Sequence, residues 1–152
     1  MRTYLVVVDE TREAETALRF AARRAAKTGG AVHILALVPP SEFVQWGGVQ
    51  ATIEEEARQR AEALVTGAAG ALTEVSGGAR PIITVRQGEA VPVVRAVLDE
   101  YSNIAALVLG AAAIGAPGPL VSHFAGAEAG QLPCPIMVIP GSLSNEAIDR
   151  LS

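Results

Sequence analysis

The sequence predicts an α/β domain with a doubly wound, five-stranded, mostly parallel β-sheet and helices on both faces. Short apolar runs rich in Val, Ile and Leu recur along the chain, and segments with helical spacing of apolar residues separate them. Continuous apolar runs are typical of parallel strands buried on both faces, and their alternation with helices favours crossover connections. We expect residues 1–140 to form one domain, followed by a short tail at residues 141–152.

The first half of the chain predicts strand, helix and strand. Thr3–Asp9 is a continuous apolar run that ends in a carboxylate. Thr11–Thr28 carries Ala and Leu on one helical face, with Thr11 as a candidate N-cap and two glycines after its end. Ala31–Val38 predicts the second strand, which two prolines end.

The second half repeats this alternation after a loop that contains Trp46. The predicted elements are helix Ile53–Val75, strand Arg80–Val85, a helix with Pro92 in its first turn that reaches Tyr101, strand Ile104–Gly110, a short helix from Pro119 and strand Pro135–Pro140.

Composition and charge exclude several classes of partner. The net charge is −4, so the chain lacks the global basic field that nucleic acid or an anionic membrane attracts. The single cysteine, Cys134, forms no internal disulfide and suits a reducing cytosol. The uncharged stretch 101–127 contains glycines and prolines that would interrupt a membrane-spanning helix. We therefore expect a cytoplasmic protein with no membrane or nucleic-acid partner.

Several polar side chains are interpreted as structural. His33 lies near the start of its strand, and Cys134 lies between two prolines as a packed thiol. The basic side chains on one side of the first helix predict a solvated face: Arg12, Arg19, Arg23 and Lys27.

The common nucleotide and hydrolase motifs are absent. No G-x-x-x-x-G-K-[ST] occurs, no G-x-G-x-x-G follows the first strand, and no G-x-S-x-G elbow occurs. Two histidines and one cysteine, far apart in sequence, predict no metal site. A P-loop ATPase, a Rossmann dehydrogenase and an α/β-hydrolase are therefore disfavoured.

Position in the sheet points to one crevice. In doubly wound sheets, ligands bind beyond the carboxyl ends of the strands where the strand order reverses. With the order 3-2-1-4-5, Asp9 at the end of the first strand faces the turn after the fourth. A carboxylate there accepts hydrogen bonds from a ribose or an adenine amine; the alternative is an aspartate that merely caps the next helix.

The turn after the fourth strand is the second half of this crevice. Gly110, Gly115 and Gly118 allow backbone N–H groups to approach a phosphate, and the helix that follows would orient its N-terminus toward it. The alternative is a turn that only needs flexible residues, since two prolines remove donors and no Lys or Arg is present. His123, beside Ser122, either contacts an anion or lies on the surface.

The order of these segments resembles the universal stress protein family. "YLVVVDETREAETALRFAARRAAKTGGAVHILALV" is similar to that family's opening, and "VRQGEAVPVVRAVLDEY", "LVLG" and "PCPIMVIP" are similar to later segments. The resemblance implies a five-stranded parallel sheet, a homodimer and a stress-related role in the cytoplasm.

Members that bind ATP carry G-x-x-G-x9-G-[ST] after the fourth strand. Asp9 matches the acidic residue that meets adenine or ribose, Val38 matches the base pocket, and Gly110 matches the first motif glycine. Ala113 stands at the second glycine, so the motif is degenerate. The resemblance implies an adenine-nucleotide site, for ATP with Mg, at these residues: Val7, Val8, Asp9, Val38, Leu109, Gly110, Ala113, Gly115, Gly118, Ser122 and His123.

Three functions remain open at this point. The first is a stress-response protein with an altered adenine-nucleotide pocket, and the second is a dimeric interaction module that binds no nucleotide. The third, a slow nucleotide hydrolase, is disfavoured because no general base beyond Asp9 and no cation in the loop is present.

The fifth strand predicts the assembly. Pro135–Ile139 is an apolar, uncharged sheet edge, which is the kind of edge that pairs with another chain. We expect a homodimer with antiparallel fifth strands, overlaid by the tail around Ile148 and Leu151.

Overall fold

A computed structural model describes residues 2–40, 49–76 and 81–152. Its elements are β1 (Thr3–Val8), α1 (Arg12–Thr28), β2 (Ala31–Val38), α2 (Val49–Ser76), β3 (Ile82–Gln87), α3 (Ala90–Glu100), β4 (Ile104–Ala111), α4 (Pro119–Ser122), β5 (Ile136–Pro140) and α5 (Asn145–Leu151). Between α4 and β5 lie a π-helical turn (His123–Ala127) and a 3-10 turn (Ala129–Gln131).

The five strands form one sheet in the order β3-β2-β1-β4-β5, and every adjacent pair is parallel. In the central strand, Val6 pairs with Ile34 of β2 on one side and Val108 of β4 on the other. The predicted fold class and strand order are therefore confirmed, and the order reverses between β1 and β4.

Alternate residues of the sheet supply two apolar cores. Val6, Val108 and their neighbours on one face pack against α1 and α2. Leu5, Leu107 and their neighbours on the opposite face pack against α3 and α4, with Phe124 fully buried among them. Because both faces are covered, the strands read as continuous apolar runs in the sequence.

Most element boundaries agree with the prediction to within a few residues. β2 matches residue for residue, and Gly29 ends α1 in the left-handed conformation with φ 67°. β3 is shifted, to Ile82–Gln87, because its register is set by pairing of His33 with Ile82 and Val38 with Gln87. The predicted Trp46 loop lies outside the described residues.

The tail differs most from the prediction, because it contains a helix. Ser144 caps α5 by accepting a hydrogen bond from the Ala147 N–H at 3.1 Å. Ile148 is fully buried against the rest of the chain, so this side chain is not available to a partner, whereas Leu151 is 56% exposed.

The prediction of a solvated basic face on α1 is corrected, because α5 packs against that face. Arg19 and Arg23 both donate to the Asp149 carboxylate, at 2.8–2.9 Å and at 3.1–3.4 Å. Lys27 Nζ donates to the Asp149 carbonyl oxygen at 2.7 Å. This places a positive charge at the C-terminal end of α5, where it interacts favourably with the helix dipole. This face therefore anchors α5 instead of facing only solvent, because the topology returns the chain to α1 after β5.

Within the described part of the chain, no helix has both the length and the apolar character needed to cross a membrane.

Candidate functional site

A crevice opens where the strand order reverses, at the carboxyl ends of β1 and β4. Its volume is about 70 Å³, whereas small-molecule pockets usually measure roughly 300–1,000 Å³. Its lining comes from β1, the start of α1, the start of α3, the end of β4 and the turn into α4: Val7, Asp9, Thr11, Glu13, Ala14, Ala90, Leu109, Gly110, Pro117, Gly118, Pro119, Leu120 and Val121. A nucleotide base would fit only after these elements move apart.

Asp9 is half-buried at the mouth of this crevice. Its Oδ1 accepts hydrogen bonds from the Thr11 N–H at 3.0 Å and from the Thr11 hydroxyl at 2.5 Å. Thr11 occupies the N-cap position of α1, but its own side chain makes no capping hydrogen bond there. Asp9 therefore organises the turn into α1 with Oδ1, and Oδ2 makes no hydrogen bond to any described residue.

Gly110 has a packing role. A Cβ added to Gly110 would lie 2.7 Å from the backbone carbonyl carbon of Glu13 and closer still to its oxygen. This contact brings the first turn of α1 directly against the end of β4. The glycine is therefore required by the approach of two backbones, whether or not a phosphate ever contacts it.

The turn after β4 closes on itself. Gly115 and Gly118 have φ values of 78° and 112°, a region that favours glycine, and an added Cβ at either would meet nothing within 4 Å. The Ala112 N–H donates to the Pro117 carbonyl at 3.1 Å, and the Ser122 N–H donates to the Gly118 carbonyl at 3.0 Å. Both amides are thus committed within the turn. The short α4 adds only a small dipole, because it contains four residues.

The structure brings some of the predicted site residues together in the crevice and places the others outside it. Those that line the crevice are Val7, Asp9, Leu109, Gly110 and Gly118. Val38 is buried at the end of β2, where its carbonyl accepts from the Gly88 N–H at 3.1 Å. Those that lie outside the crevice lining are Val8, Val38, Ala113, Gly115, Ser122 and His123.

A second cavity, of about 530 Å³, lies between α1 and α2 and was not predicted. Val8 lines it, and it shares the Asp9–Thr11 turn with the crevice. Small side chains of α2 leave the space open, and their spacing in the sequence is equally typical of a packed helix: Ala63, Gly67, Ala68 and Ala71.

His123 belongs to a charged cluster that sequence reasoning missed. Arg95 of α3 donates to both carboxylate oxygens of Glu128, at 3.0 and 2.5 Å, and His123 Nε2 lies 2.6 Å from Glu128 Oε2. Hydrogen bonds from Arg95 and then His123 lower the pKa of Glu128 to about 2. Arg95 and His123 are 28 positions apart, so no local pattern could have joined them.

The structural interpretations of His33 and Cys134 are confirmed. His33 is 1% exposed, its Nε2 lies 2.7 Å from the Thr84 hydroxyl, and its ring packs edge-on against Tyr101. Burial lowers the pKa of His33, which keeps the imidazole neutral. Cys134 is half-buried, and burial raises the pKa of its thiol, which disfavours the reactive thiolate.

The sequence of residues 1–140 matches the model of the universal stress protein family. The chain belongs to this family. The resemblance drawn from the residues is thereby confirmed. No curated protein matches the chain.

Solved structures of universal stress proteins share the fold of this family member. The universal stress protein UspA from Lactobacillus plantarum has a TM-score of 0.73 and 18% identity, covering 91% of this chain and 97% of its own. A universal stress protein in complex with cAMP has a TM-score of 0.64 and 16% identity, with coverages of 93% and 98%. The protein from Archaeoglobus fulgidus in complex with dAMP has a TM-score of 0.57 and 19% identity, with coverages of 91% and 97%. At these identities, the likeness establishes the fold alone.

Proposed function

We propose that this universal stress protein acts in a cytoplasmic stress response and binds an adenine nucleotide weakly in the crevice between β1 and β4. The observation that carries the proposal is Asp9, whose Oδ2 has no described partner at the point where the strand order reverses. Structural neighbours in complex with cAMP and dAMP support an adenine ligand. Asp9 Oδ2 would accept a hydrogen bond from the ribose or the base.

The dimensions and donors of the crevice support low affinity. The crevice must be enlarged from about 70 Å³ to the size of a nucleotide pocket. The free energy that this enlargement costs reduces the net free energy of binding. The Ser122 amide is already used within the turn, and two prolines near Gly118 supply no N–H. We expect dissociation constants of roughly tens of micromolar or poorer, equivalent to no more than about 6–7 kcal/mol.

Calorimetric titration with ATP and Mg, AMP and cAMP tests this proposal through the variant Asp9→Asn. Asparagine retains an oxygen that can accept from the Thr11 N–H, but it replaces Oδ2 with a donor. We expect binding to weaken about tenfold or more, equivalent to about 1.4 kcal/mol. The matched control is Glu10→Gln, which removes a neighbouring carboxylate that pairs with Arg60 and should leave binding unchanged. Equal binding by wild type and Asp9→Asn would place the ligand elsewhere.

The second candidate is a dimeric interaction module that binds nothing small. The narrow crevice favours it, as does β5, an edge strand on which Val138 is 38% exposed. We propose that two copies pair through antiparallel β5 strands under either function. An absence of heat with all three nucleotides at millimolar concentration would favour the module.

A further inference from the structure

The cavity between α1 and α2 is much larger than the crevice, and the proposed function does not use it. Its volume of about 530 Å³ lies within the range of roughly 300–1,000 Å³ that is usual for small-molecule pockets. The name α1–α2 cavity is used below for the space that is bounded by the Asp9–Thr11 turn, residues 15–22 of α1 and residues 63–71 of α2. This space is of the right size to hold a small organic molecule.

Small residues on α2 keep the α1–α2 cavity open. Ala63, Gly67 and Ala71 recur at intervals of four residues, so they lie on one side of the helix. All three are exposed, and a Cβ built on Gly67 meets nothing within 4 Å. Helices that pack against each other normally fill the space between them at close to crystal density. The unfilled space beside these three residues is therefore room for a ligand.

The floor of the α1–α2 cavity is apolar. Leu18 and Ala22 of α1 line it at 3% and 1% exposure, and Ala68 of α2 lines it at 4% exposure. Val8, at the end of β1, is also buried. A ligand that rests on these side chains removes apolar surface from water only if its own contacting part is apolar. The floor therefore selects a molecule with an apolar body.

The rim of the α1–α2 cavity carries four charged side chains, two of which are neutralised by ion pairs. Arg19 pairs with Asp149 of α5 at 2.8 Å. Glu10 pairs with Arg60 of α2. These two pairs contribute little net charge to the cavity, so the charge that a ligand meets comes from the other two side chains.

The other two charged side chains of the rim are Asp9 and Glu15, which are both acidic. Asp9 accepts hydrogen bonds from Thr11 through Oδ1, and Glu15 lies in the first turn of α1. Neither carboxylate forms an ion pair with a described residue. A cation therefore complements this part of the rim. The described residues contain no group of three or more metal-ligating side chains, so the cation that fits both the rim and the apolar floor is an organic one.

We propose that the α1–α2 cavity binds a small organic amine, with its apolar body on the buried floor and its ammonium group beside Glu15. The ligand class follows from the apolar floor and from the unpaired carboxylates on the rim. The proposal does not rest on nucleotide binding, because the crevice and the α1–α2 cavity share only Asp9 and Thr11 among their described lining residues. Glu15 lines the α1–α2 cavity alone and sets its preference for a cation.

The experiment compares three probes that share a phenylethyl body and differ in the head group. Phenethylamine is a cation at neutral pH, phenethyl alcohol is neutral and phenylpropanoate is an anion. Titration of the full chain is followed by nuclear magnetic resonance of the backbone amides. We expect the amine to shift the signals of Leu18 and Gly67 and to bind about two- to fivefold more tightly than the alcohol, with the anion weakest. Equal affinity for the three probes would overturn the proposal.

The variant Glu15→Gln tests the charge on the rim. It should weaken binding of the amine about two- to fivefold and leave binding of the alcohol unchanged, because only the ammonium group interacts with the lost charge. The matched control is Glu13→Gln, which removes a carboxylate from the same turn of α1 but lines the crevice instead. Its effect on the amine should be smaller. An equal loss of affinity in both variants would indicate only general attraction of a cation and would refute a site at Glu15.

The variant Gly67→Leu tests the cavity itself, because its side chain would fill the open space. Gly70→Leu is the matched control: a Cβ on Gly70 also meets nothing within 4 Å, but Gly70 does not line the cavity. Both variants replace a glycine of α2 with a better helix former, so both should remain folded. Only Gly67→Leu should abolish binding of the amine and the alcohol. Retained binding in Gly67→Leu, or equal loss in Gly70→Leu, would overturn the proposal. A lower oligomer mass of Gly67→Leu by light scattering would instead assign the cavity to a second copy of the chain.

Discussion

Replacement of Gly110 by alanine should destabilise the fold even when no ligand is present. The new Cβ would lie 2.7 Å from the Glu13 carbonyl carbon, whereas carbon atoms in contact normally lie about 3.5–4.0 Å apart. The first turn of α1 must therefore move away from β4 by about 1 Å. Overpacking against backbone, which cannot rotate away, costs about 1–3 kcal/mol or more.

Gly67→Ala is the matched control, since it adds the same methyl group to another glycine. A Cβ at Gly67 meets nothing within 4 Å, and this glycine lies inside α2. Alanine there should stabilise the protein by about 0.5–1 kcal/mol through helix propensity. The two substitutions should thus act in opposite directions.

Thermal and urea unfolding without nucleotide measure both effects. For a domain of this size, about 1 kcal/mol moves Tm by about 2–4 °C, so Gly110→Ala should lower Tm by about 2–12 °C. Unchanged stability of Gly110→Ala, accompanied by loss of nucleotide binding, would refute the packing argument and restore a direct ligand role for this glycine.

Two further predictions concern α5 and β5. The pKa of Asp149 is lowered by Arg19, so its contribution to stability is complete above the unfolded-state pKa near 4 and is lost as pH falls through the lower folded-state value. The protection of the α5 amides, measured relative to their intrinsic exchange rates, should therefore fall in wild type as the pH drops below about 4. Asp149→Asn should already show low protection at pH 7, and the same pH dependence of protection in both proteins would exclude this carboxylate. The Leu107 N–H donates to the Pro135 carbonyl, so by alternation along β5 the Val138 N–H points to the free edge of the sheet. Val138→Pro removes that outward N–H and should convert the proposed dimer to monomer by light scattering, whereas a monomeric wild type at micromolar concentration would contradict pairing through β5.

The α5 helix shows why the tail was harder to predict than the domain. Ser144 followed by Asn145 and Glu146 is a readable helix start, but α5 has only seven residues. A helix this short is marginal in isolation because nucleation is costly. Burial of Ile148 and the Asp149 ion pairs on α1 supply the stabilisation, and the sequence does not state that α5 meets α1.

Gly110 shows the same limit at the site. Its place after a buried strand was readable, and so was its match to a family glycine. Only the structure shows that the Glu13 backbone occupies the space that a side chain at this position would need. The position was therefore predicted from the sequence, but its packing role was not.

The sequence by itself determined the fold class and, with the strand order 3-2-1-4-5 expected for it, the position of Asp9 at the reversal of that order. These depend on short-range apolar periodicity and on segment order, which a linear chain records directly. The tertiary structure alone decided the size of the crevice, the docking of α5 on α1 and the meeting of Arg95 with His123 and Glu128. Those features depend on how elements that are distant in sequence pack against one another. The distances between their side chains are set only when the sheet places these elements on the same face.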